Sequence, residues 1–172
     1  MKIKKTKFKG LFILNGIKHE DKRGYLRELF IEKLIKKKFK FQIISSSKKN
    51  VLRGLHFQVK KPQGKLLSVI KGEIFDVAVD IRKNSKTFGK HFSFRLNDKN
   101  CSSVFIPPEF AHGFYTLKKE NIVCYSLTEY RSSKDERSLK YNDPKLKIKW
   151  PTKKPNVSKK DKAANSFDLI VK

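Results

Sequence analysis

Short segments of alternating apolar and polar residues dominate the middle of this 172-residue chain. The clearest is Glu73–Arg82, in which the apolar side chains at positions 75, 77, 79 and 81 share one face. A period of two residues is typical of a β-strand that buries one face. We therefore predict a strand here, with its apolar face turned towards a core.

The same pattern predicts further short strands on both sides of this segment. They are Lys65–Val69, His91–Leu96, Ser103–Ile106, Gly113–Leu117 and Ile122–Thr128. Lys71-Gly72 and Asn97–Asn100 are predicted turns, Lys83–Lys90 is a predicted loop, and Pro107-Pro108 ends a strand because proline cannot donate to a ladder.

Several short strands at near-regular spacing predict a β-sandwich or barrel, which we expect to be one domain over residues 1–172. Only Ile31–Lys38 has a helical pattern, and the tail after Trp150 is expected to be a loop followed by a short closing element.

Composition narrows the class of protein. With 38% hydrophobic residues and 14 Phe, the chain is too apolar to be disordered, and no apolar run reaches the roughly 18 residues of a membrane helix. The net charge of +26 suggests nucleic-acid binding, but the basic residues are mostly Lys and are spread along the whole chain. We therefore expect no nucleic-acid partner, although the positive field would attract a small anion.

The location of the protein follows from its cysteines and its N-terminus. Cys101 and Cys124 show neither disulfide-framework nor metal-ligand spacing, as in a reducing compartment. The basic N-terminal run is followed only by the short apolar segment Leu11–Ile17, with no small-residue cleavage site. We expect a cytoplasmic protein.

His56 is the first candidate for chemistry, within the run VLRGLHFQ. Strand alternation places Arg53 and His56 on opposite faces, unless Gly54 bulges the strand and re-aims them. An imidazole is suited to remove a proton beside a carbonyl, and the ammonium of Lys65, predicted on the next strand, would stabilise the enolate. The alternative is a purely structural histidine.

His112 is the second candidate, in the run FIPPEFAHGF. It is either a hydrogen-bonded loop histidine or a metal ligand, but His19 and His91 are the only other imidazoles and neither lies near the two motifs. We therefore expect no metal. Tyr125, on a predicted strand, is either a packing residue with one hydrogen bond or a proton donor.

Together these motifs resemble one family over about Gly10 to Ile170. The chain resembles the dTDP-4-dehydrorhamnose 3,5-epimerases, which are RmlC-like sugar-nucleotide epimerases of the cupin class. The matching runs are Asp21–Gly24, VLRGLHFQ, Gln63–Leu66, DVAVDIRKNSKTFG, IPPEFAHGF, Tyr125 with Thr128–Tyr130, Asn142–Pro144 with Ile148–Pro151, and Ser158–Asp161.

The resemblance implies a mainly β fold, a double-stranded β-helix of the cupin or jelly-roll type, in a homodimer without metal or organic cofactor. It implies a nucleotide-sugar substrate, dTDP-4-dehydro-6-deoxyglucose, inverted at C3 and C5 on the way to dTDP-rhamnose. In that assignment His56 is the base, Asp161 its carboxylate partner, Tyr125 the acid and Lys65 the group that stabilises the enolate.

The resemblance also implies a set of substrate contacts besides Lys65. These are Arg53 and His112 around the sugar, Arg23 and Lys160 near the charged nucleotide, and Glu28 and Glu136. Arg131 occupies the position where many relatives place a tyrosine that stacks on thymine, and its guanidinium could stack there instead.

Three positions depart from the family pattern at substrate contacts. Phe41 and Ile43 replace polar residues, Leu26 replaces an aromatic residue, and Gln42 cannot substitute because a shift of one residue faces the other side of a strand. Two alternatives therefore stay open. One is a single-centre epimerase or a 3,4-ketoisomerase for another 4-keto nucleotide sugar, and the other is a non-catalytic cupin that binds sugar or nucleic acid.

Overall fold

The structure, a computed structural model, describes residues 1–171 and consists mainly of antiparallel β-strands. Its elements, in chain order, are β1 (Lys2–Lys5), β2 (Phe12–Asn15), β3 (Lys18–Asp21), β4 (Gly24–Arg27), α1 (Glu32–Ile35), β5 (Phe41–Lys48), β6 (Val51–Gln58), β7 (Lys65–Lys71), β8 (Glu73–Asp80), β9 (His91–Asn97), β10 (Ser102–Ile106), β11 (Phe110–Thr116), β12 (Glu120–Leu127), β13 (Glu136–Ser138), β14 (Asn156–Val157), α2 (Lys159–Lys162) and α3 (Asp168–Val171).

Two large sheets form the barrel. The first has the order β1-β2-β10-β7-β12-β5, and the second has the order β13-β6-β11-β8-β9, with β14 added in parallel beside β6. Consecutive strands such as β6, β7 and β8 alternate between the sheets, so the chain winds around a common core. This arrangement confirms the predicted double-stranded β-helix. A separate hairpin, β3 with β4, lies outside both sheets.

The core between the sheets is filled by apolar side chains from β7, β8, β9, β10, β11 and β12. Phe8, from the segment before β2, packs edge-on against Phe92 and Phe110, with ring centroids 6.0 and 6.3 Å apart. Leu67 from the first sheet and Ile74 from the second are both fully buried in the same cluster. Burial of such side chains is the main favourable contribution to folding.

The predicted apolar set of β8 lies on one face and is buried, and the opposite face of the strand is buried as well. Ile74 and Ala78 point into the barrel, whereas Val77 and Val79 belong to a second cluster on the outer face. The outer face of β8 is buried because the C-terminal segment of the chain, from Leu139 onwards, covers this sheet. The second cluster is completed by Leu139, Leu146, Phe167 and, at its edge, Trp150.

Two predicted elements have different bounds in the structure. The helix expected over Ile31–Lys38 is a single turn, because Lys36 takes a left-handed conformation with φ 51° and its N–H donates to the carbonyl of Glu32. This turn has no side-chain N-cap and buries only Ile35, so little tertiary packing extends it. Strand β11 begins at Phe110, three residues before the expected start, and therefore includes His112.

The tail after Trp150 forms a loop and short closing elements, as predicted. Trp150 donates its indole N–H to the carbonyl of Tyr141 at 2.7 Å, and Asn156 and Val157 then pair with the start of β6. Among the described residues, no helix is long and apolar enough to cross a membrane.

Packing of the C-terminal segment, from Leu139 onwards, against the second sheet should contribute strongly to stability. Leu139 is fully buried in the outer cluster, and its truncation in Leu139→Ala should lower the free energy of unfolding by about 2–5 kcal/mol. Leu169→Ala removes the same atoms from a side chain that is 59% exposed. This control should change the free energy of unfolding by less than about 0.5 kcal/mol. Urea unfolding measures both, and equal effects would contradict a buried outer face.

Candidate active site

Nine of the predicted site residues meet in one cavity of about 690 Å³ that opens between the sheets, where β5 and β7 begin and β12 ends. Those that line it are Arg53, His56, Lys65, His112, Tyr125, Arg131, Glu136, Lys160 and Asp161. A larger depression of about 1090 Å³ lies among the hairpin turns at the opposite end of the barrel. Its lining is mostly Lys and contains no His or Tyr, so it lacks acid–base groups that titrate near neutral pH.

His56 and Asp161 form the first pair of the site. The Nε2 of His56 on β6 lies 2.6 Å from Oδ1 of Asp161 on α2, and Oδ2 of Asp161 accepts from the backbone N–H of Gly54 at 3.3 Å. Burial by itself would raise the pKa of Asp161, but the hydrogen bond and charge of His56 lower it overall. Asp161 therefore holds the ring through Nε2 and leaves Nδ1 as the free nitrogen.

The turn that carries Asp161 has its own cap. Ser158 precedes α2, and its hydroxyl accepts the backbone N–H of Asp161 at 3.1 Å. A serine in this position satisfies a backbone donor that the helix leaves free. The cap therefore fixes the backbone from which Asp161 reaches His56.

Arg53 and His56 both line the cavity, which simple alternation along β6 does not allow. The pairing of β6 with β11 explains why both side chains face the cavity. His112 pairs with His56 and Phe114 pairs with Arg53, so a step of two residues on β11 corresponds to a step of three on β6. The extra residue on β6 is a β-bulge at Gly54, which has φ 123°. The bulge at Gly54 re-aims Arg53, the exception expected for a glycine at this position, so the two side chains do not lie on opposite faces.

No side chain fits at the bulge, because the two strands approach unusually closely. A Cβ on Gly54 would lie 2.5 Å from the Cα of Gly113, and a Cβ on Gly113 would lie 2.7 Å from the carbonyl oxygen of Arg53. Both glycines therefore permit the contact between β6 and β11 beside the two histidines.

Lys65 is the first residue of β7 and lines the cavity. Its ammonium donates to the backbone carbonyl of His56 at 3.3 Å. Burial lowers its pKa to about 8, against the opposing charges of Glu136 and Asp76. At neutral pH the group is thus a cation in a poorly solvated position, where its field is strong.

Tyr125 reaches the cavity from β12, in the sheet opposite His56. Its ring packs against His112 and Phe114, with centroids 6.5 and 6.3 Å away, and its hydroxyl lies 3.3 Å from Oγ of Ser45. Burial raises the pKa of the phenol, so it is protonated at neutral pH. The imidazole of His56 and this phenol therefore face the cavity from opposite walls.

His112 is held by a carboxylate that sequence reasoning missed. Its Nε2 lies 2.7 Å from Oδ2 of Asp76 on β8, and both side chains are almost fully buried. Burial lowers the pKa of His112 despite Asp76, so the neutral ring donates from Nε2. The signal was present, because Asp76 alternates with Ile74 and Ala78 on the face that the structure turns into the barrel.

Charged side chains surround the mouth of the cavity. Glu136 on β13 accepts from Lys160 at 2.6 Å and from Arg131 at 3.0 Å. Burial would raise the pKa of Glu136, but these two cations lower it to about 2. Glu136 therefore holds both cations beside the entrance.

Arg23 and Glu28 are not brought to this cavity within the single chain. Arg23 lies at the tip of the β3–β4 hairpin, with its side chain 90% exposed and paired with Asp21 at 2.7 Å. Glu28 follows the hairpin and is exposed. The strands of the hairpin pair with each other rather than with either large sheet, and neither residue lines the cavity that holds the other predicted contacts.

The first three residues of β5 point to alternate sides of the strand, as strand alternation predicts. Phe41 and Ile43 line the cavity and give its outer wall an apolar surface. Gln42 points to the other side of the strand and donates to the hydroxyl of Ser126 at 2.9 Å. Among residues 1–171, no group of three or more His, Cys, Asp or Glu is placed to hold a metal ion.

Comparison with known proteins gives one consistent family. The family model described as dTDP-4-dehydrorhamnose 3,5-epimerase matches residues 5–168. Enzymes of that name from Methanothermobacter thermautotrophicus and Salmonella typhimurium are each 43% identical to the chain, over 92% and 95% of it and over 90% and 94% of their own lengths.

A solved structure agrees with these relatives. The chain superposes with a TM-score of 0.94 and 41% identity on dTDP-6-deoxy-D-glucose-3,5-epimerase RmlC from Legionella pneumophila, solved in complex with dTDP-4-keto-L-rhamnose. The match covers 98% of this chain and 94% of that one. The chain therefore belongs to the dTDP-4-dehydrorhamnose 3,5-epimerase family, a family of isomerases with the cupin jelly-roll fold.

Proposed function

We propose that the chain inverts C3 and C5 of dTDP-4-dehydro-6-deoxyglucose and forms dTDP-4-dehydro-L-rhamnose. The observation that carries the proposal is the pairing of opposed groups in one cavity: His56 with Asp161 on one wall and Tyr125 on the other. Inversion of a carbon next to a ketone requires a base on one face and an acid on the other. Membership of the epimerase family supports the same reaction.

His56 is the proposed base. The C4 ketone of the substrate acidifies the hydrogens on C3 and C5, and the free Nδ1 of His56 takes one of them as a proton. Asp161 stabilises the imidazolium through Nε2. The electron pair of the broken C–H bond moves into an enolate, whose oxygen is stabilised by the ammonium of Lys65.

Tyr125 is the proposed acid. Its phenol O–H bond breaks as the proton is delivered to the carbon from the face opposite His56. The enolate electron pair forms the new C–H bond, and the ketone is restored with inverted configuration. The phenolate then recovers a proton from solvent and the His56 imidazolium releases one to solvent, after which the same sequence is repeated at the second carbon.

The remaining cations suit the charged part of a nucleotide sugar. Arg131 and Lys160 lie beside the entrance, where they would contact the diphosphate, and Glu136 holds both of them in position. Arg53 and His112 line the inner cavity, where they would contact the sugar. We also propose a cytoplasmic location, which the two buried free cysteines, Cys101 and Cys124, favour.

We further propose a homodimer in which each chain completes the site of its partner. Arg23 and Glu28 are expected substrate contacts, yet they lie on an outlying hairpin away from the cavity of their own chain. The same hairpin exposes Leu26 to 67%, and the edge strand β5 exposes Ile44 to 69%. Apolar side chains in these two places would be covered by a second copy.

A second candidate function keeps the chemistry and changes the substrate. Phe41 and Ile43 place an apolar wall where polar contacts were expected, and Arg131 replaces an aromatic residue at the entrance. These differences favour a related epimerase or ketoisomerase for another 4-keto nucleotide sugar. Turnover of dTDP-, UDP- and GDP-linked 4-keto sugars side by side would separate the two candidates.

Exchange of substrate hydrogens with solvent deuterium distinguishes the role of the proposed base from that of the proposed acid. In D2O, proton NMR should show exchange at C3 and C5 in the wild type, and His56→Ala should lower exchange by about 10²- to 10⁴-fold because no base remains. Tyr125→Phe should retain exchange and lose inversion. Lys119→Ala, which changes an exposed side chain at the opposite end of the barrel, is the control and should behave as wild type. Exchange that survives in His56→Ala would contradict the assignment.

The pH dependence of the reaction should report Lys65. Its ammonium is present below a pKa of about 8 and is lost as the pH rises through that value. We therefore expect kcat/KM to fall above pH 8, by about tenfold per pH unit. Lys65→Arg keeps its charge to much higher pH, so this variant should be slower but should not show the decline near pH 8. The same decline in Lys65→Arg would assign it to another group.

Complementation between two inactive variants tests the shared site. Arg23→Ala and His56→Ala homodimers should each be impaired, whereas co-expressed chains form mixed dimers with one intact site. Random pairing should restore about a quarter of the wild-type activity. No recovery in purified mixed dimers would mean that Arg23 serves the cavity of its own chain or none.

A further inference from the structure

We infer that Ser45 is a positioning residue for the proton donor: its hydroxyl orients the hydroxyl of Tyr125 and donates a hydrogen bond to the phenolate that forms when Tyr125 delivers its proton. This inference rests on the proposed function, because it concerns the proposed acid. It assigns a role to a residue that neither the motifs nor the cavity chemistry had singled out.

Ser45 lies beside the hydroxyl end of the Tyr125 side chain. On β5 the residue opposite Tyr125 is Ile43, and Ser45 lies opposite Val123. The phenol ring therefore leans along the strand, which brings its oxygen to 3.3 Å from Oγ of Ser45. Within residues 1–171, this is the one hydrogen bond that the protein makes to the Tyr125 hydroxyl.

The ring of Tyr125 is fixed separately from its hydroxyl. His112 and Phe114 pack against the ring at centroid distances of 6.5 and 6.3 Å and restrict its tilt. Neither of them makes a hydrogen bond to the phenol oxygen in the structure. Ser45 is therefore the contact that decides which way the phenol O–H points.

The chemistry of the step requires a donor at this place. Delivery of the proton leaves a phenolate in a site where 8% of the tyrosine is exposed, and a buried anion without a donor is strongly unfavourable. Burial raises the pKa of Tyr125, whereas the hydrogen bond from Ser45 and the charge of Arg53 act in the opposite direction. A separation of 3.3 Å is long for neutral oxygens, but hydrogen bonds to an anionic oxygen shorten as the charge develops.

The neighbouring serine supports Arg53 in the same way. Oγ of Ser47 accepts from Nε of Arg53 at 3.0 Å, and the carbonyl of Ser46 accepts from Nη2 at 3.3 Å. Ser45 and Ser47 share one face of β5, because residues two apart on a strand point to the same side. One edge strand thus supplies a hydrogen bond to the tyrosine and a fixed position to the cation that favours its phenolate.

The test compares deuterium exchange with inversion in Ser45→Ala. In D2O, the variant should still exchange the hydrogens beside the ketone through His56, with KM within about threefold of wild type. Its rate of inversion should fall by about 10- to 100-fold, the effect of one hydrogen bond to a charged group. Deuterium should therefore accumulate in recovered substrate rather than in the inverted product.

Two further variants complete the design. Ser45→Thr keeps a hydroxyl on a side chain suited to a strand and should restore inversion to within about fivefold of wild type. Ser93→Ala removes an exposed serine hydroxyl from β9, the edge strand of the other sheet, and should leave both rates unchanged. Thermal unfolding of all three variants checks that the fold is retained.

Several outcomes would overturn the inference. Equal loss of exchange and inversion in Ser45→Ala would place Ser45 on the side of the base, and a raised KM with unchanged kcat would make it a substrate contact. Wild-type inversion in Ser45→Ala would show that Tyr125 needs no partner. Failure of the proposed function is distinguishable, because the wild-type protein itself would then show no exchange with dTDP-4-dehydro-6-deoxyglucose.

Discussion

Docking of the C-terminal tail on the second sheet is the interaction on which the rest of the molecule depends. It covers the outer face of β8 and brings Asp161 to within 2.6 Å of His56, a residue 105 positions away in the chain. The same segment adds β14 beside β6 and places Lys160 at the cavity mouth. One apolar contact surface therefore supports both the stability of the barrel and the pairing of His56, the proposed base, with Asp161.

Burial away from water shifts the pKa of several groups in the site. Burial lowers the pKa of Lys65 and of His112 and raises that of Tyr125, so each shift favours the neutral form of the group. The charges of Glu136 and Asp76 near Lys65, the charge and hydrogen bond of Asp76 at His112, and the hydrogen bond of Ser45 at Tyr125 oppose burial without reversing these shifts. The cavity thus keeps His112 neutral and the phenol protonated, while the ammonium of Lys65 stays charged at neutral pH.

The net charge of +26 contributes little to this local chemistry. Four cations line the cavity, Arg53, Lys65, Arg131 and Lys160, and two of them share the single carboxylate of Glu136, which offsets one of their two charges. The remaining lysines lie elsewhere on the surface, including the opposite end of the barrel. Their summed field would increase the encounter rate with an anionic substrate without entering the site.

Much of the fold was predictable because strands have a local signature. Alternation between apolar and polar residues located the central strands, and Pro107-Pro108 and Lys71-Gly72 located breaks between them. The one-turn helix at Glu32–Ile35 was overestimated, since its length depends on packing that sequence does not show. The short strands β1 to β4 lack a clear alternating pattern and were not predicted.

The residue types of the site follow from the chain alone, because His56, Lys65, Tyr125 and Asp161 lie in motifs that are visible along it. Which of these residues meet depends on the three-dimensional fold. The bulge at Gly54 turned Arg53 towards His56, the interior of the barrel paired His112 with Asp76, and β5 brought Ser45 to Tyr125. These contacts join residues on different strands or depend on a local break in strand period, and neither is encoded in the spacing of residues along one segment.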